Sequence, residues 1–227
     1  MKQAIREEFP HAFVPTFESA QQKNDWLHEV FDGSHEVRGP EKVRIPLMNG
    51  GMGVDISRKE LVRRMTELGF MGTMSGAVLG WEATLQDLSA MTNEERMEYV
   101  RDADIQAVHS AGEYLKQYCD TGVKVLNLMK CLGNYTHNRD AAIESGGFDI
   151  LVAGAGVAND LVKRMAEEDA RDMHYILIVS AAKVAELYDR LVHPKRKRPG
   201  QKTREPAAFY LEDSDTAGGH LGPKDEG

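Results

Sequence analysis

Short apolar segments recur along this chain at intervals that fit one strand followed by one helix. They begin near residues 43, 70, 123, 149, 174 and 207, so three of the steps measure 27, 26 and 25 residues. A strand, a helix and two short loops have about this length. The segments at 123–126, 150–153 and 175–179 are almost continuously apolar rather than alternating. This pattern is typical of parallel strands that are buried on both faces.

Helices are predicted in the gaps between these strands, over residues 57–69, 93–118, 138–145, 159–168 and 181–191. Ser57-Arg58-Lys59-Glu60 has the form of a capping box at the start of the first helix. Gly146-Gly147 has the form of a C-cap at the end of the third. The regular alternation predicts an α/β fold, as either an open doubly wound sheet or a barrel of the (β/α)8 TIM type.

The number of strands limits how complete such a barrel can be. Six strands can be counted, whereas a closed barrel of this type has eight, so a barrel would be truncated after strand six. We therefore expect an N-terminal extension over residues 1–42 and a partial barrel domain over residues 43–227. The alternative at this point is an open sheet.

Composition excludes several classes of function. The 227 residues carry a formal net charge of −8, which offers no basic surface to nucleic acid. The amino terminus lacks the apolar core of a signal peptide, and no apolar run is long enough to span a bilayer. The two cysteines, Cys119 and Cys131, form no CxxC pair, and no cluster of histidines and carboxylates has metal-ligand spacing. We expect a cytoplasmic protein with a small-molecule substrate, no bound metal, and no nucleic-acid or membrane partner.

The residues that follow the predicted strands are the candidate site, because ligands of parallel α/β folds bind beyond the carboxyl ends of the strands. Most of them are small or carry an amide, which predicts a roomy mouth with backbone donors that suits a large planar ligand. In strand order, they are Asn49, Gly50, Gly51 and Met52, then Ser75 and Gly76, then Asn127, Met129 and Lys130, then Gly154 and Gly156, then Ser180, and then Gly218, Gly219 and His220.

Four motifs among these strand ends carry a resemblance to a known family. They are the stretch at 45–53, Asn127-Leu128-Met129, Ala153-Gly154-Ala155-Gly156 and Ala217-Gly218-Gly219-His220. In this order and spacing they resemble the nitronate monooxygenase (2-nitropropane dioxygenase) family, which includes FabK-type enoyl-ACP reductases and PfaD proteins. The resemblance covers about residues 43–222. It implies an FMN-binding (β/α)8 barrel, of which this chain would be the six-stranded front portion.

The resemblance also implies roles for individual residues toward FMN. Gly51 and Met52, with Asn49 and Gly50 before them, would lie along the isoalloxazine, and Asn127 would hydrogen-bond its polar edge. Lys130 would compensate negative charge on the reduced flavin. The remaining candidates are Gly154 and Gly156 beside the open side of the ring, Ser180 at the same edge, and Gly218 and Gly219 as backbone donors toward the ribityl phosphate.

One departure from the family concerns the catalytic base. Members that oxidise nitronates place a base histidine just beyond strand four, but residues 154–160 of this chain contain no histidine. Asp160 and His220 are the candidate catalytic residues instead. A general base must lie within about 3 Å of its proton or one water away.

The expected activity is FMN-dependent oxidation of small nitronates or nitroalkanes with O2. One alternative is NAD(P)H-dependent reduction of an enoyl thioester, as in an enoyl-ACP reductase or a PfaD-like protein. Another is an inactive fragment or a non-catalytic subunit, which would form a homo-oligomer or pair with a partner chain that completes the barrel.

Overall fold

The computed structural model describes residues 48–53, 56–67, 70–77, 79, 88–119, 122–193 and 204–212. Within these ranges helices and strands alternate along the chain. In order, the elements are α1 (Lys59–Glu67), β1 (Gly72–Ser75), α2 (Asn93–Tyr118), β2 (Lys124–Met129), α3 (Tyr135–Ser145), β3 (Ile150–Gly154), α4 (Asn159–Arg164), a 3-10 turn (Glu168–Ala170), β4 (His174–Val179), α5 (Ala182–Val192) and β5 (Ala208–Leu211).

Most predicted elements are present, with some differences at their ends. Predicted strands two to six are β1 to β5, and α2 has the predicted bounds. The third helix begins earlier, at Tyr135, and the fourth ends earlier, at Arg164, where a separate 3-10 turn follows. Of predicted strand one only Met48 is described, and it forms a parallel bridge with Met71 just before β1. The rest of that strand and the predicted extension at 1–42 lie outside the described residues.

The five strands form one parallel sheet in the order β1-β2-β3-β4-β5. Each strand therefore pairs with its neighbours in the sequence. At the carboxyl edge the register sets Ser75 beside Asn127, and Met129 beside Gly154. A doubly wound sheet would instead reverse its strand order at a switch point.

The two faces of the sheet belong to two separate apolar clusters. One face packs against the helices and contributes residues such as Leu126, Leu151 and Leu177 to the larger cluster. We call the opposite side the inner face; its cluster contains Met71, Val125, Ile150, Val152 and Ile176, all from the sheet or its margin. Consecutive parallel strands with the described helices on a single face are the arrangement of a (β/α) barrel. The predicted α/β fold of the partial-barrel type is confirmed.

Local signals explain where two of the helices begin and end. At the start of α2 the Thr92 hydroxyl accepts from the Glu95 N–H at 3.3 Å, and the Glu95 carboxylate accepts from the Thr92 N–H at 2.8 Å. This reciprocal pair is a capping box. At the end of α3, Gly146 adopts a left-handed conformation with φ of 58°, so the predicted C-cap is confirmed.

The predicted capping box at Ser57 is wrong. The helix α1 begins at Lys59, and the Ser57 hydroxyl hydrogen-bonds the preceding glycine loop rather than the helix backbone. Among the described helices, none combines the length and the apolar character that crossing a membrane would require.

Candidate functional site

Polar residues of the inner face lie at the carboxyl half of the sheet. Side chains alternate between the faces of a strand, so Asn127 shares the inner face with Val125, and Gly154 shares it with Val152. In β1, Thr73 and Ser75 share that face with Met71. The inner face is therefore apolar toward the amino ends of the strands and turns polar or open toward their carboxyl ends.

Ser57 fixes the glycine loop that precedes α1. Its hydroxyl accepts from the Met52 N–H at 3.0 Å and donates to the Gly50 carbonyl at 3.3 Å, while the Ser57 N–H donates to the Met52 carbonyl at 3.1 Å. Its own carbonyl accepts from the Ser75 N–H in β1 at 3.1 Å. Ser57 is only 1% exposed, and its hydrogen bonds connect the buried side of the glycine loop to the sheet. The Met52 side chain is left exposed.

Asn49 extends the pairing between the loop and β1. Its Oδ1 accepts from the Thr73 N–H at 2.8 Å, and its Nδ2 donates to the Thr73 carbonyl at 2.9 Å. Both ends of the carboxamide therefore serve the sheet backbone. The cofactor contact predicted for Asn49 stays a prediction.

Gly51 lies directly against the side chain of Asn127. A Cβ added at Gly51 would lie 2.5 Å from Asn127 Nδ2 and 2.8 Å from Asn127 Cβ, closer than side-chain atoms can approach. The loop backbone reaches the end of β2 only because residue 51 has no side chain. At Gly50, in contrast, an added Cβ would meet nothing within 4 Å.

Five buried side-chain oxygens have no hydrogen-bond partner among the described residues, and two of them belong to strand residues of the inner face. These two are Asn127 Oδ1 and Thr73 Oγ1. An unpaired buried acceptor costs about 1–3 kcal/mol. The pair is therefore a place where a ligand with N–H or O–H donors would gain free energy that the protein alone does not recover.

Asp160, the candidate base, is held by two cations. Its Oδ1 lies 2.7 Å from Lys130 Nζ, and its Oδ2 accepts from Arg139 Nη1 at 2.8 Å. The ammonium of Lys130 also lies 4.2 Å from the centre of the Tyr135 ring. Burial raises the pKa of Tyr135, and the charge of Asp160 adds to the effect. With both oxygens engaged, the Asp160 carboxylate connects the β2 loop to α3 more readily than it accepts a substrate proton.

Arg139 also belongs to a network of ion pairs between the helices. Arg139 donates to both oxygens of Asp140 at 2.9 Å, Arg164 Nε donates to Asp140 at 3.2 Å, and Arg164 also forms a bidentate pair with Asp169 at 2.7 Å. Burial alone would raise the pKa of Asp140, but hydrogen bonds from the two guanidinium groups lower it below its ordinary value. This network of ion pairs joins α3, α4 and the 3-10 turn.

The two glycines after β3 have different surroundings. Gly154 leaves room for the Ile178 side chain, whose Cδ1 would lie 2.8 Å from an added Cβ. Gly156 adopts φ of +141°, a conformation that other residues rarely take, and a Cβ there would lie 3.1 Å from Lys130 Cγ. Gly156 and Lys130 are thus neighbours across the β2 and β3 loops, and their shared role at one site stays a prediction.

For the remaining predicted site residues, the structure describes the position of only one. Ser180 follows β4 at the carboxyl edge and is half-buried. Gly218, Gly219 and His220 lie outside the described residues, so their predicted roles stay predictions. Among the residues that are described, no three His, Cys, Asp or Glu side chains come together as a metal site would require.

Sequence reasoning missed three residues that shape this edge: Ser57, Thr73 and Arg139. Thr73 is the polar residue in the middle of an apolar run, and this position could have marked it as an inner-face group. Ser57 gave a signal that fitted helix capping equally well. Arg139 gave none, because its partner Asp160 lies on another helix.

Comparisons with known proteins give a partial likeness in fold. No protein-family model matches this chain, and none of the curated proteins matches it. The structure of FabK from Thermotoga maritima aligns with 66% of this chain and 40% of its own at a TM-score of 0.47 and 17% identity. A point mutant of that FabK aligns over 73% and 43% at a TM-score of 0.47 and 14% identity. The chain therefore spans less than half the length of these two structures.

Proposed function

We propose that this chain is an FMN-dependent oxidoreductase of the nitronate monooxygenase type. The observation that carries the proposal is the pair of unpartnered buried oxygens on the inner face, Asn127 Oδ1 and Thr73 Oγ1. They lie at the carboxyl half of a barrel-type sheet, where ligands of such folds bind. The four motifs that resemble the nitronate monooxygenase family lead to the same ligand.

The described residues fit an isoalloxazine ring in three respects. The ring's polar edge carries an imide N–H, which is the donor that the Asn127 oxygen lacks. The glycine loop offers a backbone surface with an open position at Gly50 and an exposed apolar side chain at Met52. The Lys130 ammonium supplies positive charge at the same edge. FMN, when bound, would supply the electron-transfer chemistry, and the protein would supply position and electrostatics.

The two ion pairs of Asp160 affect which substrate we expect. A neutral nitroalkane must lose a proton before it is oxidised, whereas a nitronate is already the deprotonated anion. Because both Asp160 oxygens are paired with cations, we expect nitronates to be better substrates than their parent nitroalkanes. His220 remains the other candidate base.

Reduction of an enoyl thioester by NAD(P)H is the second candidate function. It is favoured by the absence of a histidine from residues 154–160, where nitronate-oxidising members of the resembled family carry their base. A subunit without catalytic activity of its own is the third candidate.

The first experiment is to measure flavin bound to the purified chain, and then to titrate the flavin-free protein with FMN while following flavin fluorescence. We expect saturable binding that weakens at least about tenfold in Asn127→Leu, which corresponds to about 1.4 kcal/mol. Asn93→Leu makes the same change at the exposed start of α2 and should bind FMN normally. Failure of the wild-type chain to take up FMN would overturn the proposal.

Activity assays then separate the candidates. Oxygen consumption with a nitronate and with its parent nitroalkane tests the first function, and oxidation of NAD(P)H with an enoyl thioester tests the second. Flavin binding without either activity would favour a non-catalytic role.

A further inference from the structure

The β3 loop, residues 155–158, connects β3 to α4 and contains a strained residue. Ala155 has φ of 54°, and among the residues that the structure describes it is the one residue other than glycine with a positive φ. In this left-handed region the Cβ of an L-residue comes too close to the following carbonyl oxygen, so Ala155 is held there at a cost in free energy. Gly156 follows with φ of 141°, a conformation that glycine adopts readily.

Two hydrogen bonds fix the ends of the β3 loop. On one side the Lys130 N–H donates to the Gly154 carbonyl at 2.8 Å. On the other side the Ala158 N–H donates to the Tyr188 hydroxyl of α5 at 2.7 Å. Ala158 is 0% exposed and Tyr188 is 1% exposed, so this second bond is shielded from water. The buried N–H therefore depends on the Tyr188 hydroxyl as its acceptor.

The strain at Ala155 needs fixed loop ends to persist. A residue in a sparsely populated conformation stays there only where the surrounding structure over-determines it, and such residues cluster at ligand-binding sites. The β3 loop follows the carboxyl end of its strand, and its Gly156 lies against Lys130. Without an acceptor for the Ala158 N–H, we expect Ala155 to relax toward negative φ and to carry Gly156 with it.

We infer that Tyr188 is a positioning residue, which holds the β3 loop in its strained, ligand-binding conformation through the Ala158 N–H. Tyr188 belongs to the apolar cluster on the helix side of the sheet, and its ring lies 6.3 Å from that of Phe209. It therefore acts on a ligand through the loop rather than by direct contact. The inference rests on the proposed function, because it takes FMN as the ligand of the carboxyl edge.

Three substitutions separate this role from a general contribution to stability. Tyr188→Phe removes the hydroxyl and keeps the ring. Tyr175→Phe is the matched control, because Tyr175 is also buried and its hydroxyl donates to the Arg204 carbonyl at the amino end of the sheet. Ala155→Gly removes the Cβ that makes the left-handed conformation costly, so it favours the same loop conformation without help from Tyr188.

Titration of the flavin-free protein with FMN is the first measurement. We expect the dissociation constant to rise at least about tenfold in Tyr188→Phe and to stay within about threefold of wild type in Tyr175→Phe. Adding Ala155→Gly to Tyr188→Phe should restore binding to within about threefold of wild type, which a loss of stability alone would not explain. An unchanged dissociation constant in Tyr188→Phe would overturn the inference, as would an equal rise in Tyr175→Phe or a failure of Ala155→Gly to restore binding.

Hydrogen exchange of the Ala158 amide in the flavin-free protein is the second measurement, and it does not depend on FMN. We expect exchange to be at least about tenfold faster in Tyr188→Phe than in Tyr175→Phe. Exchange should stay fast in the double variant, because its Ala158 N–H also lacks the acceptor. Equal rates in the two tyrosine variants would overturn the inference whatever the result with FMN.

The two measurements also distinguish failure of the inference from failure of the proposed function. A wild-type chain that takes up no FMN would end the proposed function and the ligand-binding part of the inference, and exchange would still decide whether Tyr188 holds the loop. If Tyr188→Phe does not fold, the double variant is compared with Ala155→Gly alone. Dissociation constants for FMN that then differ by more than about threefold would overturn the inference.

Discussion

Two residues at the carboxyl edge have buried oxygens that form no hydrogen bond, which costs the fold some stability. Thr73 Oγ1 and Asn127 Oδ1 are buried, and neither has a hydrogen-bond partner among the described residues. Such groups in a folded protein call for an explanation, and a binding site is a common one. The other polar groups of the loop, those of Asn49 and Ser57, are satisfied by backbone. Thr73 and Asn127 therefore differ from Asn49 and Ser57 in having hydrogen-bonding capacity left over.

Replacing the Thr73 hydroxyl tests this cost directly. Thr73→Val keeps the shape of the side chain and removes the unpaired oxygen, so we expect the free energy of unfolding in urea to rise by about 1 kcal/mol. Thr92→Val, which removes the hydroxyl that caps α2, should lower it by about 1 kcal/mol. A loss of stability in Thr73→Val would mean that the hydroxyl has a partner in solution.

Substituting Asp160 distinguishes a structural role of its carboxylate from a catalytic one. In Asp160→Asn both ion pairs are weakened, and because Arg139 is largely buried we expect a loss of about 1–3 kcal/mol in the free energy of unfolding. Asp102→Asn, in an exposed pair with Arg101, should change it by less than about 1 kcal/mol.

The turnover of Asp160→Asn decides whether the residue is also a base. If the carboxylate only holds Lys130 and Arg139, activity should stay within about tenfold of wild type once the variant is saturated with FMN. A fall of about 10²–10⁴-fold, with loss of one limb of the pH profile, would instead identify Asp160 as the catalytic base.

At the scale of elements, the strands were predictable from sequence and the loop contacts were not. The apolar runs that form β2, β3 and β4 indicate buried strands clearly, and a full capping box at Thr92 marks the start of α2. The Ser57 motif fits two structures equally well, and only the position of β1 decides between them, because the Ser57 carbonyl bonds Ser75 there. Contacts between distant segments, such as Gly51 with Asn127, leave no periodic signal in the sequence.

The glycine loop gives a matched pair of substitutions at this scale. Gly51→Ala would place a Cβ 2.5 Å from Asn127 Nδ2, so the loop must move away from the sheet. We expect a loss of about 1–3 kcal/mol in the free energy of unfolding, together with weaker FMN binding. Gly50→Ala meets nothing within 4 Å and should leave both nearly unchanged. Equal effects of the two would show that the loop does not lie against β2 as described.

At the scale of the whole molecule, stability depends on pH through charged groups in two places, one at the amino end of the sheet and one among the helices. At the amino end, burial lowers the pKa of His174, and the nearby charge of Arg204 lowers it further. Arg204 Nη1 also donates to the Met173 carbonyl at 2.7 Å, and the Tyr175 hydroxyl donates to the Arg204 carbonyl, so this arginine holds β5 to the loop before β4. Among the helices, hydrogen bonds from Arg139 and Arg164 lower the pKa of Asp140, as described above.

Both shifts have the same consequence on acidification. His174 has a lower pKa folded than unfolded, so its contribution is complete above about pH 6.5 and is lost as the pH falls and the unfolded state takes up the proton. The contribution of Asp140 is complete above about pH 4 and is lost below it. We therefore expect the free energy of unfolding, measured in urea at a series of pH values, to fall in two steps. His174→Gln should remove the first step and keep the second, whereas Asp140→Asn should diminish the second and keep the first. A first step that survives in His174→Gln would assign it to another group and leave the contact between Arg204 and the β4 loop without a role in the pH dependence.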